Sequence, residues 1–120
     1  MDFELSHRAI GCAMRVHRTL GCGFLEQVYV NALAIELHQS GLLFQNEAKF
    51  IVHYRGHIIG KYYADFVIEK TLLLEIKALK SLDGACESQL LNYLNASGIH
   101  TGLLINFGSE SLQFKRMTNA

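Results

Sequence analysis

Proline is absent from all 120 residues, and so are any internal repeat, low-complexity tract or linker-like stretch. A chain with none of these reads as one compact unit, so a single domain over residues 1–120 is expected, long enough to bury a real core. No apolar run approaches the ~20 residues of a membrane-crossing helix, so no membrane partner is expected. Charge of one sign is missing too. Lys plus Arg and Asp plus Glu both number 11, and the formal net charge is zero. A nucleic-acid binder usually shows a basic excess, so any such surface here has to be local. Cysteine is scarce: Cys12, Cys22 and Cys86 stand far apart, with no Cys-x-x-Cys spacing. The odd count, the acidic opening Asp2 and Glu4, and the lack of a basic-then-apolar leader after Met1 give a cytoplasmic expectation. Cys12, His17 and Cys22 fit no structural zinc spacing.

What is present is an ordinary globular mixture, 50% apolar and 18% charged. Ser6 to Leu20 has a helical pattern through Ile10, Met14 and Val16, with Ser6 as N-cap and Gly21 just past its end. Gly21-Cys22-Gly23 then joins it to a second helix, Leu25–Gln39, with stripes Leu25, Val28, Ala32, Ile35 and Tyr29, Leu33, Leu37. A phosphate loop is disfavoured there, because no strand precedes the glycines and the third glycine is missing. Strands are predicted from Leu42 to Tyr54, Ile58 to Ile68 and Leu72 to Ala78. A third helix runs from about Asp83 to Ser97, capped by Ser81 or Asp83 and closed by Gly98. Strands His100–Asn106 and Leu112–Lys115 follow. The helix between the third and fourth strands predicts a parallel crossover pairing, and the whole an α/β domain with helices against a mixed sheet.

Three charged residues interrupt the apolar hairpin from Tyr62 to Ala78. With Glu69, Lys70 and Thr71 as its loop, Asp65 falls directly opposite Glu75, and Lys77 shares the Glu75 face. Opposite residues have Cβ atoms about 4.5–5.5 Å apart, so the two carboxylates repel unless positive charge joins them. A divalent cation with hard oxygen ligands does that, helped by a nearby ammonium. The competing account is a wet surface pair, Lys77 neutralising Glu75 with Asp65 solvated. Glu26, in the first turn of its helix, has a plain explanation in the helix dipole. Lys49, Arg55, Lys61, Lys80, Lys115 and Arg116 are candidates for a local basic rim, or simply solvated.

Gly23-Phe24-Leu25-Glu26-Gln27-Val28-Tyr29 resembles the Gly-x-x-Glu-x-x-Tyr signature of the GxxExxY protein family. The resemblance continues through Asn31-Ala32-Leu33, Tyr54-x-Gly56, the Asp65 strand, Glu75-Ile76-Lys77-Ala78, Gln89 to Leu94 and Gly102 to Gly108. That family is assigned to the PD-(D/E)XK nucleases, which implies a restriction-endonuclease-like core: a central mixed β-sheet flanked by helices. It implies Asp65, Glu75 and the Ile76 carbonyl as ligands of Mg²⁺ or Mn²⁺, and Glu26 as an additional acid directed at the metal. It further implies Lys77 as the group that positions or activates water, Gln89 lining the site, and Tyr93 packing beside it or touching substrate. Lys80 joins Tyr93 as a candidate nucleic-acid contact. Two departures stand out: Ala64 replaces the proline that often precedes the first acid, and Cys86 stands where a histidine is expected.

The function expected is metal-dependent hydrolysis of phosphodiesters in nucleic acid, DNA ahead of RNA. The alternative is a catalytically inactive nuclease-fold module that binds nucleic acid or protein. Small size suggests a homodimer.

Overall fold

Leu72, Leu74 and Ile76 alternate with Leu73 and Glu75 along one short strand, and this alternation divides the molecule into layers. The computed structural model describes residues 3–119; Met1, Asp2 and Ala120, the ends of the expected domain, lie outside the described residues. The elements run α1 (Phe3–Leu20), α2 (Glu26–Gln39), β1 (Phe44–Tyr54), β2 (His57–Ile68), β3 (Leu72–Lys77), α3 (Gly84–Ser97), β4 (Thr101–Asn106) and β5 (Gln113–Thr118). They form one five-stranded sheet in sequence order. β3 and β4 pair in parallel, as the intervening helix predicts, and the other neighbours are antiparallel.

Leu72, Leu74 and Ile76 face α1 and α2 in the larger apolar cluster, which also holds Tyr29, Leu33, Phe66 and Phe107. Leu73 faces α3 with Leu90, Leu94 and Leu104. The central strand is covered on both sides, and that explains its continuous apolar run. The turn before it is tight. Glu69 and Lys70 both adopt positive φ, and the Thr71 N–H donates to the Ile68 carbonyl at 3.0 Å.

The helices differ from expectation in which faces they bury. Ser6 is no cap: α1 begins at Phe3, and the buried Ser6 hydroxyl accepts a hydrogen bond from Arg116 Nε at 3.1 Å. The inner face of α1 is Leu5, Ala9, Cys12, Ala13 and Val16, while Met14 is exposed. Small residues at Ala9, Cys12 and Ala13 form the close contact face, so the bulkier Ile10 packs only at its edge and Met14 turns outward. In α2, Tyr29, Val30, Leu33 and Leu37 are buried, whereas Leu25, Val28 and Ile35 of the other stripe face outward. α3 is capped by Asp83, whose side chain accepts from the Cys86 N–H, and it ends on Gly98 in a left-handed conformation.

Candidate metal-binding and catalytic site

β2 and β3 are paired from Ile68↔Leu72 to Phe66↔Leu74, and there the ladder stops. The register carried one step further sets Asp65 across from Glu75, as the three-residue loop predicts. At that step side chains replace the missing backbone bonds. Asp65 Oδ2 accepts the Ile76 N–H at 2.7 Å, and Glu75 Oε1 accepts the Asp65 N–H at 3.3 Å. Each carboxylate thus holds the other strand's backbone where the strands begin to part.

Asp65 also marks a break in the pleat. Val67 and Ala64 both pack in the α3-side cluster, although residues three apart on a regular strand face opposite ways. The cause lies on the neighbouring strand, where Glu47 takes φ +55° and drops out of the pairing with β2. Asn46 bridges the gap, its Nδ2 donating to the Asp65 carbonyl at 2.9 Å. Sequence reasoning gave Asn46 and Glu47 no part in the site. The only signal available was an acid near the start of a predicted strand.

Burial and charge make the pair unusual. Glu75 is 5% exposed. Burial, reinforced by the Asp65 charge, pushes its carboxyl up to about 8. Asp65 is also raised, first by burial and then by the charges of Glu26 and Glu47, against the lowering effects of the Ile76 N–H and Lys77. The ion pairs of the described residues, Arg15–Glu36 and Lys115–Glu87, both lie elsewhere. Lys77, at the end of β3, turns its Nζ to Gln89 Oε1 on α3 at 2.5 Å rather than to either acid. The buried Glu75 and the half-buried Asp65 therefore share a gap, and among the described residues neither is ion-paired to a basic side chain.

The Ile76 N–H points into that gap, so its carbonyl, which lies on the same side of the strand, does too. These are hard oxygen donors of the kind Mg²⁺ takes, usually one or two carboxylates completed by waters and phosphate oxygens. The donor set fits such an ion. It is a small set: no group of three His, Cys, Asp or Glu among the described residues converges in metal-holding geometry. Glu26, the exposed first residue of α2, acts on both acids through its charge. Tyr93, half-buried on α3, meets Tyr62 edge to face at 5.4 Å, and burial and the two acids raise its hydroxyl. Lys80 is exposed on the segment between β3 and α3.

The Gly-x-x-Glu-x-x-Tyr stretch now has a mechanical account. Gly23 adopts φ +114°, which only glycine does freely. Tyr29 is wholly buried, donates its hydroxyl to the Gly21 carbonyl at 2.6 Å and accepts the Phe24 N–H at 3.2 Å. Its ring stacks on Phe107 at 4.8 Å, and the Phe107 N–H bonds the Lys77 carbonyl. The tyrosine therefore pins the joint that starts α2, and with it Glu26, to the end of β3. The segment after Lys77 is held by the buried Asn106, whose Oδ1 accepts the Leu79 N–H at 2.8 Å and whose Nδ2 donates to the Leu79 carbonyl at 2.9 Å. Gly108 closes this corner because any Cβ there would run into the Leu79 backbone.

The PD-(D/E)XK nuclease superfamily matches residues 3–117 of the sequence. The chain belongs to the PD-(D/E)XK nuclease superfamily. Solved structures agree on the fold of this PD-(D/E)XK domain. The crystal structure of SSO0001 is 20% identical with a TM-score of 0.63, over 78% of this chain and 49% of that one. This chain thus spans about half the length of SSO0001. An alkaline exonuclease, LHK-Exo from Laribacter hongkongensis, is 12% identical with a TM-score of 0.57, over 94% of this chain and 70% of that one. The same exonuclease in complex with dAMP gives 12% and 0.52, over 96% and 83%. No curated protein matches the sequence. Nucleases of this superfamily generally use divalent metals.

Proposed function

We propose that this PD-(D/E)XK domain hydrolyses phosphodiester bonds in nucleic acid, DNA ahead of RNA, using Mg²⁺ or Mn²⁺. The observation that carries the reading is the opposed pair of half-buried Asp65 and buried Glu75 at the end of the β2–β3 ladder, with no described basic side chain ion-paired to either. Asp65, Glu75 and the Ile76 carbonyl would hold the ion, with Glu26 adding an acid from α2. When bound, such an ion neutralises charge developing on the phosphate and makes its water more acidic. Lys77 contributes a point charge toward the attacked phosphate and the water. Gln89 keeps that ammonium at the rim of the site through its 2.5 Å bond. Tyr93 and Lys80, on and before α3, would contact the nucleic acid. The preference for DNA is supported by LHK-Exo, seen with the deoxynucleotide dAMP.

The test is incubation of the pure protein with labelled single- and double-stranded DNA and RNA, in Mg²⁺, Mn²⁺ or chelator, beside Glu75→Ala. Metal-dependent cleavage lost in that variant is the expected result. Metal binding without cleavage of any substrate would favour the non-catalytic module, a reading that neutral net charge otherwise recommends.

A further inference from the structure

β1 and β2 continue well past the layers that cover the rest of the sheet. From Asp65 to Ile58 the strand extends about 23 Å at about 3.3 Å per residue. This arm, Ala48 to Ala64, contains no acidic residue, while Lys49, Arg55 and Lys61 are all exposed. Because the chain is neutral overall, the remainder carries the balancing acidic excess. The charge missing from the composition as a whole is therefore present here as a local patch.

The two faces of the arm differ. Phe50 and Tyr62 lie on the α3 side, where Phe50 packs against the smaller cluster and Tyr62 meets Tyr93. The other face carries Lys49 directly across from Tyr63, and Ile51 directly across from Lys61. Tyr63 is 52% exposed. Cation and apolar surface thus alternate diagonally over four neighbouring side chains. Near the tip, the exposed Arg55 adds a third cation and lies over the ring of Tyr54 at 5.4 Å, Tyr54 itself alternating onto the Phe50 face. Ammonium and guanidinium groups interleaved with open aromatic rings match a polyanion that also carries flat bases. Single strands are held in this way, by backbone charge contacts and base stacking together. The strand that bears this patch runs on to Asp65, where its pleat breaks and the side-chain faces shift.

We propose that the outer face of the β1–β2 arm binds a single-stranded nucleic-acid segment and guides it to the Asp65–Glu75 pair, an inference that rests on the phosphodiesterase reading. Lys49 and Lys61 hold phosphates, Tyr63 stacks a base, and Arg55 adds charge at the tip.

Binding is measured by fluorescence anisotropy in chelator, in a Glu75→Gln background, so that no cleavage is needed. Adding Lys49→Gln/Lys61→Gln is expected to weaken a labelled single-stranded oligonucleotide about tenfold, and to flatten log affinity against log salt by about 1.4, two contacts at about 0.7 each. Tyr63→Ala is expected to cost about tenfold with an unchanged salt slope. Arg18→Gln/Lys70→Gln, which removes equal charge away from the arm, is expected to leave affinity within about twofold. The proposal is overturned if the parent binds no oligonucleotide, if both charge variants weaken it equally, or if only duplex binds and Tyr63→Ala has no effect. Cleavage by the unmutated protein in Mg²⁺ is scored separately. Its absence beside an intact arm result would sink the catalytic reading and leave the binding surface standing.

Discussion

The two halves of β2 are one strand in two environments. Phe66, Val67 and Ile68 are buried between helices on both faces, whereas Ile58, Ile59 and Tyr63 stand largely in the open. Asp65 sits at the change, where the β2–β3 ladder ends and the pleat breaks. The contrast explains how a carboxylate can be raised by burial yet remain within reach of solvent and substrate. A site deep in the covered half would be sealed, and one in the arm would feel no desolvation.

The largest expected effect comes from removing the acid at the junction. Asp65→Ala should reduce cleavage at least about a thousandfold and abolish calorimetric Mg²⁺ binding, because a metal's charge stabilisation amounts to several kcal/mol. Retained metal affinity in that variant would show that the junction is not the metal site. Lys77→Ala should lower cleavage by about a hundredfold or more, at the scale of one positioned charge in a transition state, while leaving metal affinity nearly unchanged. Loss of metal binding would reassign Lys77 to the structure of the pair.

The covered and open halves can also be weighed directly by denaturant unfolding. Leu74→Ala, opposite Phe66 in the covered half, should cost about 2–5 kcal/mol. Ile59→Ala in the arm should stay within about 0.5 kcal/mol, as exposed substitutions do. Similar losses at both positions would mean that the arm is packed against something.

The boundary between the halves also makes stability depend on pH. Glu75 holds its proton in the folded protein up to about 8, from an ordinary value of 4.5. Between those values the folded state binds more protons than the unfolded chain, so its stability falls as pH rises through that window. Melting temperatures of the metal-free protein should therefore decline from pH 5 to pH 8. Glu75→Gln should flatten the decline. An equally steep profile in the variant would assign it to other groups.

Much of this was legible in the residues. The Glu69-Lys70-Thr71 loop and strict alternation were enough to face Asp65 with Glu75, since a hairpin's register follows from its turn. The parallel β3–β4 pair followed from the helix between them. The helix faces were not legible, because Leu25, Val28 and Ile35 make as good a stripe as Tyr29, Leu33 and Leu37. Periodicity ranks neither, and only the partner layer selects one. The Ser6 cap failed for a similar reason: its hydroxyl was claimed by Arg116, 110 residues away along the chain.

Local chemistry alone determined the elements, the tight loop, the opposed acids and the Glu-x-Lys strand, because these depend on near neighbours and on fixed side-chain periods. Tertiary structure decided where the ladder ends, how far Glu75 is desolvated, that Lys77 turns to Gln89, and that Tyr29 ties α2 to β3 through Phe107. Those outcomes depend on what covers each group. Coverage is contributed by segments far apart in the chain, and their contacts form only when the layers close.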